Sequence, residues 1–311
     1  MGAVTEPAAR PRTVGRPPRA DLLLMGVGVL AVSTSGPLMA AVVAPALAVA
    51  LWRNVLALTV IWPAAVATRR TELSMLTRRE IRWAIGAGVL LALHFATWVP
   101  SLRYTSVASA TAIVATQPVW VALLARAMGH EVPRRAWLGI VISLVAVVVL
   151  TGVDFSLDAE ALTGDLLALL GGVFAALYTV AGAEVRRTVS TTSYTALCYS
   201  TAAGALLVAC LLGGVDLWGY SGTTWLQLLA LTAGAQLLGH SVFNLVLRTT
   251  SATVVSLVLL LEVPGAALIA AAALGQTPPV EAIPAALLLL VGLGIVISSA
   301  GDELEPGIAA D

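Results

Sequence analysis

ATVVSLVLLLEVPGAALIAAAAL, residues Ala252 to Leu274, is the stretch whose reading decides the fold. At a 1.5 Å rise per residue, about 20 apolar residues cross the roughly 30 Å hydrocarbon layer of a bilayer as a helix. Near its middle stands one carboxylate, Glu262, followed by Pro264 and Gly265. An acid at that depth is costly unless it finds a partner, a proton or a water-filled cavity. Pro264 has no N–H to give, so a carbonyl on the preceding turn needs another donor. Both features turn this helix towards other helices.

The rest of the chain has the same character. Of 311 residues, 59% are hydrophobic and 11% charged, against about a quarter charged in an ordinary soluble domain. Mean hydropathy is +0.95. These values describe an all-α integral membrane protein. The formal net charge is zero, and every basic residue is Arg. Cys198 and Cys210 lie three turns apart on one apolar segment, too far to bridge each other there, and imply neither a disulfide framework nor a metal site.

Pro, Gly and charge divide the apolar mass into ten spans, near 21–41, 45–67, 82–101, 107–128, 136–153, 164–184, 193–213, 223–247, 252–274 and 283–300. Residues 1–20, rich in Arg and Pro, read as a disordered cytoplasmic tail, and 301–311 as a short acidic one. Positive charge before an apolar run also fits a signal peptide, but the apolar pattern continues, so the first span reads as uncleaved. With the N-terminus cytoplasmic, all Arg except Arg53 and Arg103 fall on the cytoplasmic side, as the positive-inside rule requires. Ten spans return the C-terminus to that side, in a cell inner (plasma) membrane.

A shift of about 145 residues brings the halves into register. Ala20-Asp21-Leu22-Leu23 faces Gly164-Asp165-Leu166-Leu167, and Arg103-Tyr104-Thr105-Ser106 faces Arg248-Thr249-Thr250-Ser251. Gln117-Pro118 falls opposite Glu262-Val263-Pro264, and Gly129-His130-Glu131-Val132-Pro133 opposite Gly275-Gln276-Thr277-Pro278-Pro279. Residues 21–153 and 164–300 are thus two five-helix repeats. Five is odd, so the second sits inverted relative to the first. Two inverted bundles enclosing a site near the midplane are the build of many secondary transporters.

The five-plus-five pattern, Arg103-Tyr104-Thr105-Ser106, Gln117-Pro118, Gly129-x-Glu131-x-Pro133 and Trp137-x-Gly139 together resemble the EamA family of the drug/metabolite transporter superfamily. The resemblance covers residues 21–300 and implies an inverted-repeat permease for amino acids, sugars, purines or other metabolites, exporters included. Two departures stand out. Val263 separates Glu262 from Pro264 where the family usually has Glu-Pro, and Gln276-Thr277 replaces a frequent Gly-Glu. The extra residue would turn Glu262 by about 100° relative to the family's acid.

Substrate-binding or coupling candidates follow from polar residues inside spans. Glu262 and Arg53 fall at similar depth. They read either as an ion pair fixing the halves together, or as an acid exchanging a proton or a substrate ammonium beside a cation that binds a carboxylate or holds Glu262 ionised. His94 and His240 occupy corresponding spans, where histidine relays protons or, more often, bonds helices together. His240 is placed near the cytoplasmic end and His94 deeper. Trp98, Tyr178 and Asn244 offer a stacking surface and polar anchors, or fill interfaces and aromatic belts. Gln117 joins them as the counterpart of Glu262. Gly86, Gly88, Gly171, Gly172, Gly292, Gly294 and Ala270–Ala273 read as sites of close helix approach, and Asp21 and Asp165 as caps.

The leading function is a secondary transporter or exporter of a small polar metabolite, amino-acid-like or drug-like, working by alternating access with proton coupling as an option. The alternatives are a membrane-embedded enzyme and a channel. No HExxH, Asp-rich diphosphate motif, nucleophile with its base, or Walker A sequence is present, so no enzyme activity, catalytic residue, cofactor, metal or nucleic-acid partner is expected. The lipid bilayer, the substrate and, optionally, a second copy in a homodimer are the partners.

Overall fold

The computed structural model describes residues 17–105, 110, 113–151, 159–274 and 282–299. The tail residues 1–16 and 300–311 and the repeat anchors Ser106 and 275–279 therefore lie outside the described residues. Everything regular within them is helix. The elements are α1 (Arg19–Ser33), α2 (Ser35–Ala41), α3 (Ala46–Met75), α4 (Arg78–Ser101), α5 (Gln117–Ala127), α6 (Arg134–Thr151), α7 (Ala159–Val185), α8 (Thr191–Leu212), α9 (Gly222–Val246), α10 (Ala252–Leu259), α11 (Glu262–Leu274) and α12 (Ala282–Ser299). Five of them, α3, α4, α7, α8 and α9, are long and apolar enough to cross a membrane. At 30 residues, α3 is about 45 Å long and outruns the hydrocarbon layer. Large apolar side chains are exposed on the outer faces of α1 (Leu23, Leu30), α6 (Val141, Val145), α8 (Leu211, Leu212) and α12 (Leu287, Val291), which lipid rather than water would cover.

Packing partners exchange when the chain is shifted by one repeat. α4 packs on α7, and its equivalent α9 packs on α1. α5 lies on α7, as α11 lies on α1, while α3 meets its own equivalent α8 and α6 meets α12. The two halves are therefore interleaved, each completing the other.

Polar contacts sort the connections into two ends. At one, Arg79 and Arg187 both donate to Glu184 (3.0 and 3.1 Å), Thr188 donates to Glu80 (2.7 Å), and the Ser190 amide donates to Glu72 (2.6 Å). The hydroxyls of Thr249 and Thr250 each donate to Asp21 at 2.6 Å. Asp21 is thus a tie between the start of α1 and the α9–α10 turn, more than a local cap. Asp165 sits in the second turn of α7, with a buried Oδ1 that has no partner among the described residues. At the other end, Arg103 donates to the Ala44 carbonyl (3.4 Å) and Trp52 to the Leu217 carbonyl (2.9 Å). The first end carries most of the described arginines.

The α6–α12 crossing depends on two glycines. A β-carbon on Gly292 would stand 2.8 Å from the Gly139 carbonyl oxygen, and one on Gly139 would stand 2.6 Å from that of Gly292. By contrast nothing lies within 4 Å of such an atom at Gly86, nor at Gly294. These two expected contact glycines serve no close approach, because they face away from the neighbouring helix. Ala at Gly139 or Gly292 should therefore lower thermal stability in detergent by about 1–3 kcal/mol, the usual cost of overpacking. Ala at Gly86 or Gly294 should raise it by about 0.5–1 kcal/mol through helix propensity. Melting curves of the four variants check the contrast.

Candidate functional site

Residues Ala252–Leu274 do not form one uniform helix. α10 ends at Leu259 and α11 starts at Glu262. Between them the Leu260, Leu261 and Val263 amides bond three residues back (3.1, 3.0 and 3.2 Å). The Leu260 carbonyl, which Pro264 leaves without its usual donor, thereby takes the Val263 N–H. A tightened turn of this kind advances about 120° per residue instead of about 100°. Beside this turn Glu262 lines a central cavity together with Val263. The fourth span does the same: Thr116 bonds to Ile113 (3.1 Å) and Val119 to Thr116 (2.9 Å) around Gln117-Pro118. Gln117 lines the same cavity from the other half.

Most of the remaining candidates converge there. His94, Trp98, Tyr178, His240 and Asn244 all line this cavity, whose volume is ≈ 100 Å³. Its polar groups largely satisfy one another. His94 Nδ1–H donates to the Gly171 carbonyl (2.9 Å), which leaves Nε2 as the acceptor in the neutral ring. Gln117 Nε2 donates to Thr179 Oγ1 (3.0 Å). The Tyr178 hydroxyl donates to Asn244 Oδ1 (3.0 Å) and accepts from Asn244 Nδ2 (2.7 Å). His94 stacks on Trp98 with ring centroids 5.5 Å apart, and Trp98 rests on Gly171, where a β-carbon would come within 2.9 Å.

The site is itself a product of the repeat. A shift of about 145 residues carries His94 onto His240, Trp98 onto Asn244, Gln117 onto Glu262, and Thr179 onto Thr34. The Gln117–Thr179 contact has its counterpart where Ser33 Oγ reaches the Glu262 carbonyl at 3.5 Å.

Two candidates stand differently from expectation. His240 shares the central cavity with His94 and makes no hydrogen bond among the described residues; it meets Phe95 edge-on at 5.9 Å. The cause is local: Thr232–His240 is π-helical, and the wider turn changes the face that follows. Arg53 does not line the cavity. It is fully buried, its Nε donates to Gln236 Oε1 (2.8 Å), its guanidinium lies 4.5 Å over the Phe95 ring, and neither terminal nitrogen has a partner. The direct Arg53–Glu262 ion pair is therefore not made.

Sequence reasoning missed Thr179, Ser256, Phe243 and Leu247, which also line the cavity, and Gln236, which holds Arg53 and donates to Asn54 (3.2 Å). Gln236, His240 and Asn244, spaced four apart on an apolar helix, were a readable polar stripe. Phe243 and Leu247 carried no such signal. A second cavity of ≈ 470 Å³ opens at the basic end, lined by His130, Glu131, Glu184, Arg187 and Arg248. Leu247, nearly fully buried, borders both cavities. Beside it Arg186, counted from sequence among the surface arginines, is buried and donates to the carbonyls of Asn244 (2.9 Å) and Val189. Burial lowers its pKa to about 10, so it stays charged at neutral pH.

No curated protein matches the chain. A solved structure described only as the crystal structure of a protein superposes with a TM-score of 0.74 at 20% identity, covering 90% of this chain and 97% of that one; this likeness speaks to fold alone. The model of the EamA-like transporter family matches twice, over residues 19–152 and 162–298. By that match, two repeats of one family span nearly the whole described bundle, and the chain belongs to the EamA-like transporter family.

Proposed function

We propose that this protein is a secondary carrier of a small polar metabolite, with ten membrane spans arranged as two inverted five-helix repeats that work by alternating access. The observation that carries the reading is the central cavity, built from equivalent residues of the two halves and bordered by the α5 and α11 turns at Gln117 and Glu262. Interleaved halves can rock about such a site, exposing it first to one side and then to the other. The basic end is the cytoplasmic one, following the distribution of Arg, and the membrane is the cell inner membrane.

Leu247 is the cytoplasmic gate. It separates the central cavity from the basic vestibule, so its size sets access between them. Leu247→Ala should speed entry of substrate from the cytoplasmic face, and Leu247→Trp should abolish exchange while leaving the melting temperature within a few degrees. Solute counterflow in proteoliposomes, screened over a metabolite panel, measures both and tests the carrier itself. Saturable, trans-accelerated flux supports it, while unsaturable flux would make the protein a channel.

Orientation has its own test. Cysteines placed at Thr188 and Leu217 lie at opposite ends, whereas native Cys198 and Cys210 are buried. In intact spheroplasts an impermeant maleimide should label Leu217→Cys and spare Thr188→Cys; the reverse pattern would invert the topology.

A further inference from the structure

The repeat pairs His94 with His240 in the cavity wall and Trp98 with Asn244, and at the two proline turns one half contributes Gln117 and the other Glu262. Gln117, Tyr178, Asn244 and His94 spend their hydrogen bonds on protein partners. The Glu262 carboxylate makes no hydrogen bond or ion pair to any described residue; only its backbone carbonyl is contacted, by Ser33. A half-buried carboxylate left without donors is expensive, and two features favour it without occupying its oxygens. It stands in the first turn of α11, the positive end of the helix dipole, and Arg53 attracts it through space with no direct ion pair.

A ligand that enters therefore meets two carboxyl oxygens that no described residue occupies. It meets no Lys or Arg among the described lining residues, since Arg53 is fully buried against Phe95 and Gln236. The donors left open beside the cavity are Trp98 Nε1, which is neutral, and the His240 ring, which makes no hydrogen bond to a described residue; neither is the permanent cation that Lys or Arg would be. The rest of the wall mixes the hydroxyls of Ser35, Thr179 and Ser256 with aromatic and aliphatic groups, Phe243, Leu259 and Leu260 among them. Ammonium N–H groups satisfy a carboxylate, and aromatic faces attract cations.

We propose that the substrate is a small organic cation, a protonated amine on a compact apolar or aromatic body, whose ammonium is held by Glu262. This rests on the carrier reading for the site and narrows its substrate class. A carboxylate has no cation to meet there, so free amino acids are disfavoured relative to the corresponding amines.

The test is a charge series on one skeleton: 2-phenylethylamine, 2-phenylethanol, 3-phenylpropanoate and phenylalanine. Each is titrated by calorimetry into the full-length protein in detergent, wild type and Glu262→Gln, and then run as a counterflow pair in proteoliposomes. The amine should bind saturably and at least about tenfold more tightly than the other three, a gap of about 1.4 kcal/mol. In Glu262→Gln that preference should vanish, with amine and alcohol alike. Glu262→Asp, which keeps the charge, should retain the preference with weaker binding, and it serves if Glu262→Gln does not fold. Equal or tighter binding of the anion or the zwitterion would overturn the proposal, as would an amine preference that survives Glu262→Gln, or no binding by any of the four. If the amine binds but nothing undergoes counterflow, the substrate class stands and the carrier reading falls. If the zwitterion is exchanged and the amine is not, the carrier stands and the cation falls.

Discussion

A backbone in lipid has no water to complete its hydrogen bonds, so every departure from a regular helix must be satisfied inside the protein. That constraint organises this molecule. Two of its proline-bearing spans tighten at the same place in each repeat, at Gln117-Pro118 and just before Val263-Pro264, and the Leu260 carbonyl freed by Pro264 takes the Val263 N–H three residues on. Both turns border the cavity. Proline thus places the irregular backbone, the repeat duplicates it, and the duplication brings one polar side chain from each half to a common space.

Arg53 shows how the same economy governs charge. Its guanidinium has one hydrogen bond, one aromatic face and two terminal nitrogens without partners, a costly state for a desolvated ion. A cation over a ring gains about 2 kcal/mol when desolvated, less than a lost full partner costs. Tyr199 and then Glu262 favour this cation through space, without a direct ion pair. Salt-bridged, Arg53 would occupy the carboxyl oxygens of Glu262. Held apart, it leaves them open to the cavity. Gln236 matters as much as the charges, because it fixes Arg53 from a π-helical segment whose last residue is the cavity histidine.

Much of this was legible in the chain. The two repeats, and the polar side chains of which seven line one cavity, were readable from hydropathy, punctuation and the intramembrane polar rule, since each of these is a local property of sequence. Arg53 was misplaced for a physical reason: depth along a helix can be counted, but facing depends on the angular step. Its neighbours Gln236 and Phe95 come from other helices. His240 was placed too near the cytoplasmic end for a related reason, as no single-residue signal announces nine residues of π-helix. Val263 was expected to turn Glu262 by about 100°, yet Glu262 and Val263 both line the cavity beside a tightened turn whose backbone angles sequence alone does not give. Gly86 and Gly294 show the limit of composition: glycine permits close approach without requiring it.

The symmetry also explains why a single acid is sufficient. With identical residues at Gln117 and Glu262 the site would present two equivalent poles, and a ligand would have no preferred end. Two carboxylates sharing so small a cavity could not both stay ionised. Two amides would offer no charge at all. One of each gives the cavity a direction along the axis joining the halves, with the charge on the half whose helix start and distant arginine both favour it. The sequence difference between two otherwise matched turns is therefore the point at which a duplicated scaffold becomes a selective one.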